Sequence, residues 1–390
     1  MPLEFKLIVD KPVLLKPSSP TERTTLFLSN VDHVVVFMVD TLYFYKGNGE
    51  TEALAVVDKM KKALENLLVH YHFIAGRLRP SSSEAARLEV DCNSAGVLFA
   101  AAKADCSIQD LGDLAYPHPN FRKFLLKIEE AKALPDSPLM TLQVTSFRCG
   151  SFSLGVSICH ALLDGYSAIH FLKNFASIAR GQGLQLHPNP DRTIFKARSP
   201  PQPTHDFSSD HFTPATSKQA ASSPPPPLRN SLKCTRFEAV AAFLWQARTI
   251  AMRTAPLKPS LVFFAVDKVQ ESLKAVTDEY VRAWNDWWQI WRGVPDLRDG
   301  FYLSSWWRFA FHELDFGWGK PLNAGPAPTA VLECVVLLPD AAAVASRNAR
   351  EAGVRVLITL EPHMMPKFEE IVSSLAFAAA AHPLFMINHF

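Results

Sequence analysis

Apolar residues alternate with polar or small ones along Leu142 to Arg148 and again along Phe152 to Ile158, on either side of Cys149-Gly150. A period of two broken by a glycine-containing turn predicts a β-hairpin. Beyond it the period lengthens. Ala168, Phe171, Leu172, Phe175 and Ile178 fall on one face of a helix that Ser167 is placed to cap and Gly181 to stop. Between the two patterns lies Ser157-Ile158-Cys159-His160-Ala161-Leu162-Leu163-Asp164-Gly165. His160 is thus expected where a strand ends, with Asp164 one turn further on and Gly165 allowing the chain to bend. Strand ends feeding loops are common places for reactive side chains to meet a cleft.

The same patterns organise the rest of the chain. Phe5 to Val9 reads as a short strand and Val34 to Phe44 as a central one, rich in β-branched and aromatic residues. Thr51 to Val69 is expected to be helical, with Ala53, Val57, Met60, Leu64 and Leu67 along one face. Tyr71 to Leu78 turns into another strand. Arg87 to Val90 and Gly96 to Ala101 read as paired strands around Asn93-Ser94, and residues 105–140 as short helices and loops. From Ser199 to Asn230 proline and serine dominate, which marks a linker, extended in part as polyproline II. Order resumes at Thr235, whose spacing to Glu238 is that of a capping box opening a helix through Ala251. Leu261 to Val266 reads as a strand and Val269 to Trp291 as a helix carrying Trp284, Trp287, Trp288 and Trp291, read as packing residues. Glu333 to Pro339 and Val354 to Leu360 read as strands with a helix between them, and residues 374–390 as a loosely held tail.

Composition narrows the function. A chain of 390 residues suggests two domains, and 48% hydrophobic with 20% charged residues is ordinary for a soluble protein. A net charge of +2 provides no general field for nucleic acid. Six cysteines without a Cys-x-x-Cys pair argue against a zinc site and a disulfide scaffold. The start, Met1-Pro2-Leu3-Glu4-Phe5-Lys6, lacks the apolar region of a signal peptide, and no apolar run reaches the length of a membrane span. A cytoplasmic, monomeric protein without metal is expected.

His160-x-x-x-Asp164 is a weak signal alone, since about one such match is expected by chance among 13 histidines. His187-Pro-Asn-Pro-Asp191 matches too, in a proline-broken loop with no strand before it. A second stretch decides between them. Asp315-Phe316-Gly317-Trp318-Gly319-Lys320-Pro321 demands a tight turn. With His160-x-x-x-Asp164-Gly165 upstream, across a proline-rich linker, the chain resembles the plant BAHD family of acyl-CoA-dependent acyltransferases. Ala75-Gly76-Arg77-Leu78, Asp191-Arg192-Thr193-Ile194 and Phe237-Glu238-Ala239 extend the likeness to roughly residues 5–372. Val69-His70-Tyr71-His72 and Val276 to Val281 bring it nearest to members using hydroxycinnamoyl-CoA donors with omega-hydroxy fatty acid or fatty alcohol acceptors.

The resemblance implies an α/β fold of two similar domains, each a mixed sheet flanked by helices, like chloramphenicol acetyltransferase. Residues 1–198 would form the N-terminal domain, 199–230 the crossover linker, 231–373 a shortened C-terminal domain with the Asp315–Gly319 turn, and 374–390 an atypical tail. A channel between the domains would admit CoA from one side and the acceptor from the other. His160 would be the general base, with direct transfer in a ternary complex of acyl-CoA, as co-substrate, and a small alcohol or amine. Cys159 alternates to the other side of the strand and reads as core. Asp164 takes a structural, orienting role, and the Trp306 indole N–H is the candidate oxyanion donor. Asp315, Phe316, Gly317, Trp318 and Gly319 would form a structural turn near the CoA channel. No bound cofactor is implied.

Two family blocks are missing from this chain. One is a strand and helix expected before Cys234. The other, an Arg-containing loop, a Tyr-Phe-Gly-Asn segment and a strand, should follow Asp267, where Lys268-Val269 stands directly. The lost Arg is the one that pairs with the motif Asp, so the expectation for Asp164 is a buried carboxylate without its partner. Lys268 offers a charge there but not a planar fork. Two rival readings follow: a non-catalytic relative that keeps the fold and CoA binding, and an acyltransferase fed by a carrier protein.

Overall fold

The computed structural model describes residues 4–47, 52–84, 87–116, 118–128, 137–204, 234–252, 269–291, 302–327, 334–339 and 354–378. The chain divides into two compact units. The first takes Met1–Lys196 together with Arg308–Thr329, and the second takes Ala197–Trp307 and the residues from Ala330 onward to His389.

In the first unit, strands β1 (Leu7–Val9), β2 (Val13–Leu15) and β3 (Thr25–Phe27) precede a short helix, α1 (Asn30–Val34). Strand β4 (Met38–Tyr45) and helix α2 (Glu52–His70) follow, then β5 (Arg77–Pro80), β6 (Leu88–Asp91), β7 (Val97–Ala104), β8 (Met140–Phe147), β9 (Phe152–Cys159) and helix α3 (Gly165–Ala179). The central strand expected from Val34 therefore begins at Met38. Ser29 closes a capping box with Asp32, which commits Val34, the first residue of that run, to α1.

The hairpin around Cys149-Gly150 forms as expected, with β8 and β9 antiparallel and Gly150 at a φ of 82°. The strands flanking Asn93-Ser94 do not pair. β6 joins β3 and β5 in a small sheet, whereas β7 runs antiparallel to β1 and β2 and parallel to β8. Ser94 and Gly96 both take positive φ, and this turn redirects the chain from one sheet to the other.

β9 is buried along its whole length between β8 and β4. Its hydrogen-bonding partners lie on both sides, so the strand that delivers His160 is among the least deformable parts of the unit. The helical face expected on α2 is the buried one, with Met60, Leu64 and Leu67 fully enclosed. Phe44, Phe121, Phe124 and Phe147 form an aromatic core on one face of the sheet.

A last strand, β11 (Asn323–Pro326), completes this sheet from far along the chain by pairing antiparallel with β4. This differs from the expected division, which kept the Asp315–Gly319 turn in the C-terminal domain. Leu322 N–H donates to the Phe44 carbonyl and Ala327 N–H to that of Asp40, so the ladder binds the segment to the first unit.

In the second unit, helix α4 (Arg236–Met252) opens with the expected capping box: Glu238 N–H donates to Thr235 Oγ1, and Thr235 N–H to Glu238 Oε2 at 2.7 Å. The long helix expected to Trp291 is broken. Residues 269–275 are helical, and Thr277 caps a new helix, α5 (Asp278–Trp291), accepting from Tyr280 N–H at 3.1 Å. Trp287 and Trp288 of α5 are buried, and Trp287 stacks on Trp291. The first linker residues are tied down here, because the buried Asp286 carboxylate accepts from the Arg198 side chain and from Gln202 N–H.

Strands β10 (Tyr302–Ser305), β12 (Cys334–Pro339) and β13 (Val354–Ile358) form a mixed sheet, with β10 parallel and β13 antiparallel to β12. Helix α6 (Met365–Ala378) and α4 pack with it around Leu244, Val335, Leu337, Val356 and Phe368. Helix α6 takes in the first residues of the expected tail. Leu261 to Val266, Asp267-Lys268, the helix between β12 and β13, most of the linker and residues 379–390 lie outside the described residues.

Candidate active site

The His160 backbone leaves β9 with its N–H donated to the Phe37 carbonyl at 2.8 Å. That bond fixes the residue to the start of β4 just before the chain turns at Leu162, whose N–H reaches back to the Cys159 carbonyl. The imidazole is half-buried and lies 5.4 Å from the Phe37 ring, which is 53% exposed. Burial pushes the His160 pKa below the ordinary histidine value, against opposing pulls from its own backbone carbonyl, Asp164 and Asp32. The contact with its own carbonyl falls short of hydrogen-bond geometry: Nδ1 is buried without a partner among the described residues. A ring of this kind is neutral at neutral pH and able to accept a proton. Cys159 points into the core, and burial pushes its thiol up, which makes it a poor nucleophile.

Asp164 is exposed and is the N-cap of α3, its Oδ1 accepting from Ser167 N–H at 2.7 Å. This corrects two expectations. Ser167 is not the cap but the third residue of the helix, and Asp164 is not a buried carboxylate in need of an arginine. Solvent and the first turn of α3 satisfy it. Gly165 follows for a steric reason: a Cβ there would come within 2.4 Å of the Phe309 ring.

Two residues whose part sequence reasoning missed complete the loop. Arg192 donates from Nη2 to the Leu162 carbonyl at 2.5 Å, and its Nε lies 3.4 Å from Asp32 Oδ2. The Ser29-x-x-Asp32 spacing carried a signal for the cap; nothing in the pattern tied Arg192 to Leu162. His187, the chance copy of the motif, sits in an exposed loop beside His70.

The Asp315–Gly319 turn belongs to the same unit. Asp315 Oδ1 accepts from the N–H groups of Gly317 and Gly319, both at positive φ, which closes the turn. Phe316 is buried against Tyr45 and Phe175, and the Tyr45 hydroxyl donates to the Leu314 carbonyl at 2.9 Å. Trp318 packs on Phe152 under the Lys59 ammonium, and Arg180 donates to the Asp315 carbonyl. Every one of these contacts holds the segment that delivers β11.

Trp306 lies in the second unit, at the end of β10. Its indole N–H donates to Ser304 Oγ at 3.0 Å, and its ring packs near Val336, Leu338 and Leu357. Among the described residues no cluster of His, Cys, Asp or Glu is placed to hold a metal ion, and no helix is long and apolar enough to cross a membrane.

Comparison with known proteins decides what the site belongs to. The Transferase family model matches residues 5–224 and 261–375. The omega-hydroxypalmitate O-feruloyl transferase of Arabidopsis thaliana is 32% identical over 431 residues, covering 92% of this chain and 91% of that protein. The chain belongs to the BAHD acyltransferase family. The fatty alcohol:caffeoyl-CoA acyltransferase of Arabidopsis thaliana is 28% identical, with 94% of this chain and 99% of that protein covered. Vinorine synthase shares the fold, at a TM-score of 0.67 and 17% identity over 94% of this chain and 98% of its own. This BAHD chain is an acyl-CoA-dependent acyltransferase by family, built on two α/β units with mixed sheets. The alignment of 431 residues exceeds the chain's own 390, so the relative carries segments that this chain lacks.

Proposed function

We propose that the protein transfers a hydroxycinnamoyl group from CoA to an alcohol, with His160 as general base. The observation that carries this reading is a half-buried, neutral imidazole at the end of a buried strand paired on both sides, beside the exposed Phe37 ring. The exposed Tyr166 on the first turn of α3 adds to the apolar surface of that loop, which suits aromatic donors and long-chain acceptors. The alcohol oxygen attacks the thioester carbonyl as His160 takes its proton, giving a tetrahedral oxyanion. Collapse breaks the carbon–sulfur bond, and the imidazolium proton leaves with the CoA thiol. A thioester needs no covalent enzyme intermediate for this step, and the inert Cys159 offers none. The Asp315–Gly319 turn acts structurally, as an anchor for β11. Mass-spectrometric screening of purified protein against hydroxycinnamoyl-CoA donors and long-chain alcohols tests the proposal. Ester formed from feruloyl- or caffeoyl-CoA is expected; product from none of the acyl-CoA donors would reject it.

The missing segments favour a second reading, a relative that binds CoA without turnover. Calorimetric CoA binding together with an empty product screen would select it.

A further inference from the structure

Three segments far apart in sequence meet behind His160, and one side chain joins them. Arg192 lies beyond α3, in the turn that Asp191 closes by accepting from Thr193 N–H at 2.8 Å. Its guanidinium spends Nη2 on the Leu162 carbonyl, inside the His160–Asp164 loop, and turns Nε toward Asp32 of α1. The Arg192 and Asp32 side chains are each only 17% exposed, so the pair is shielded from solvent. Asp32 is itself fixed, because its Oδ2 accepts from both the N–H and the hydroxyl of Ser29. The chain that leaves α1 reaches Phe37, whose carbonyl holds the His160 N–H. The loop is therefore gripped at His160 by the residue before β4 and at Leu162 by Arg192, and both grips lead back to α1.

We infer that Arg192, braced by Asp32, is a positioning residue for His160, acting through the Leu162 carbonyl; this rests on His160 being the base. Only a fork with two separated donors reaches a carbonyl and a carboxylate at once, so lysine cannot replace it. The charged groups acting on the ring are Asp164 from its own loop and Asp32 from α1, and Arg192 faces Asp32. Displacement of a base by about 1 Å costs on the order of a hundredfold in rate.

Two substitutions separate positioning from mere packing. Asp32→Asn keeps an acceptor for Ser29 but deletes the charge facing Arg192, so it weakens the brace. Arg192→Lys keeps the charge but loses the fork, so the loop loosens, the ring is hydrated and the His160 pKa rises toward its ordinary value. Histidine-selective carbon-13 NMR titration of the full chain reads the Arg192→Lys shift directly, with His160→Gln assigning the signal. A fall, or no shift, overturns the inference. This measurement needs no turnover, so it stands even where the product screen fails. In a working enzyme, each substitution lowers kcat about tenfold or more with KM for acyl-CoA within about twofold, and the double variant is no worse than the weaker single. Additive losses, or losses confined to KM, would equally overturn it.

Discussion

In the proposed mechanism the chemistry rests on one imidazole, and its environment makes a statement about pH. Burial holds the His160 pKa below its usual value of about 6.5. The base is active when neutral, so activity falls as pH drops through the folded-state pKa. The acid limb of kcat/KM is expected below about 6.5, and a limb at or above that value would contradict the assignment. His160→Ala should lower kcat by about two to four orders of magnitude with CoA binding intact, whereas His187→Ala should leave turnover unchanged. Asp164 tests a different property. As an exposed N-cap it contributes about 1 kcal/mol to α3, which Asp164→Ala removes and Asp164→Asn largely keeps, since asparagine caps nearly as well. Equal loss of melting temperature in the two variants would show that the charge, not the cap, is what counts. His33 adds an acid sensitivity. Burial, helped by the Arg87 charge, lowers its pKa to about 4. Folding therefore disfavours its charged form, and stability is lost as pH falls from about 6.5 toward 4.

Among the elements, the contact at the entrance to the second unit is the most exposed to a single change. Asp286 on α5 is almost wholly buried, and burial alone would raise its pKa. The donors from Gln202 and Arg198 outweigh that and hold the carboxyl below its usual range. Arg198→Ala leaves the carboxylate enclosed without its ion-pair partner, which a thermal melt would read as a lower melting temperature. The wild-type contribution is present above the unfolded carboxylate range and is lost as pH falls through the lowered pKa. Sequence patterning made part of this architecture legible. The β8–β9 hairpin, the α2 face and the Thr235–Glu238 cap were readable because each is set by residues within one turn or one strand of each other. The β11–β4 pairing was not, since Asn323–Pro326 shows no alternation and its partner lies about 280 residues earlier. The turn at Ser94–Gly96 misled for the opposite reason: two good strands flank it, but positive φ at both residues sends them into different sheets. In the candidate site, His160 and Asp164 were legible from spacing, while Arg192 was not, because its partner is a backbone carbonyl that any residue could supply.

For the whole molecule, the question is what the shortened second half can still do. Relatives align over more residues than this chain contains, and the sequence locates one loss directly after Asp267. Among the described residues, the second unit's sheet has three strands. A strand removed from a sheet without replacement leaves backbone donors and acceptors unpaired, at about 1–3 kcal/mol for each that stays buried. A few such losses match a typical domain stability of about 5–15 kcal/mol. The first unit is different. Its His160 loop is held by Asp164, Arg192, Asp32 and the Phe37 carbonyl, with only the Phe309 ring reaching it from later in the chain, and none of these lies at the sequence position of the loss. The expected result is a protein with an intact His160 loop, lowered stability and weak turnover. Reinserting the Arg-containing loop, the Tyr-Phe-Gly-Asn segment and its strand from a BAHD relative after Asp267 should raise both the melting temperature and the product yield. Matching melts and matching yields for the two chains, measured side by side, would show that the second half tolerates the loss and that the family's extra strand is dispensable for transfer.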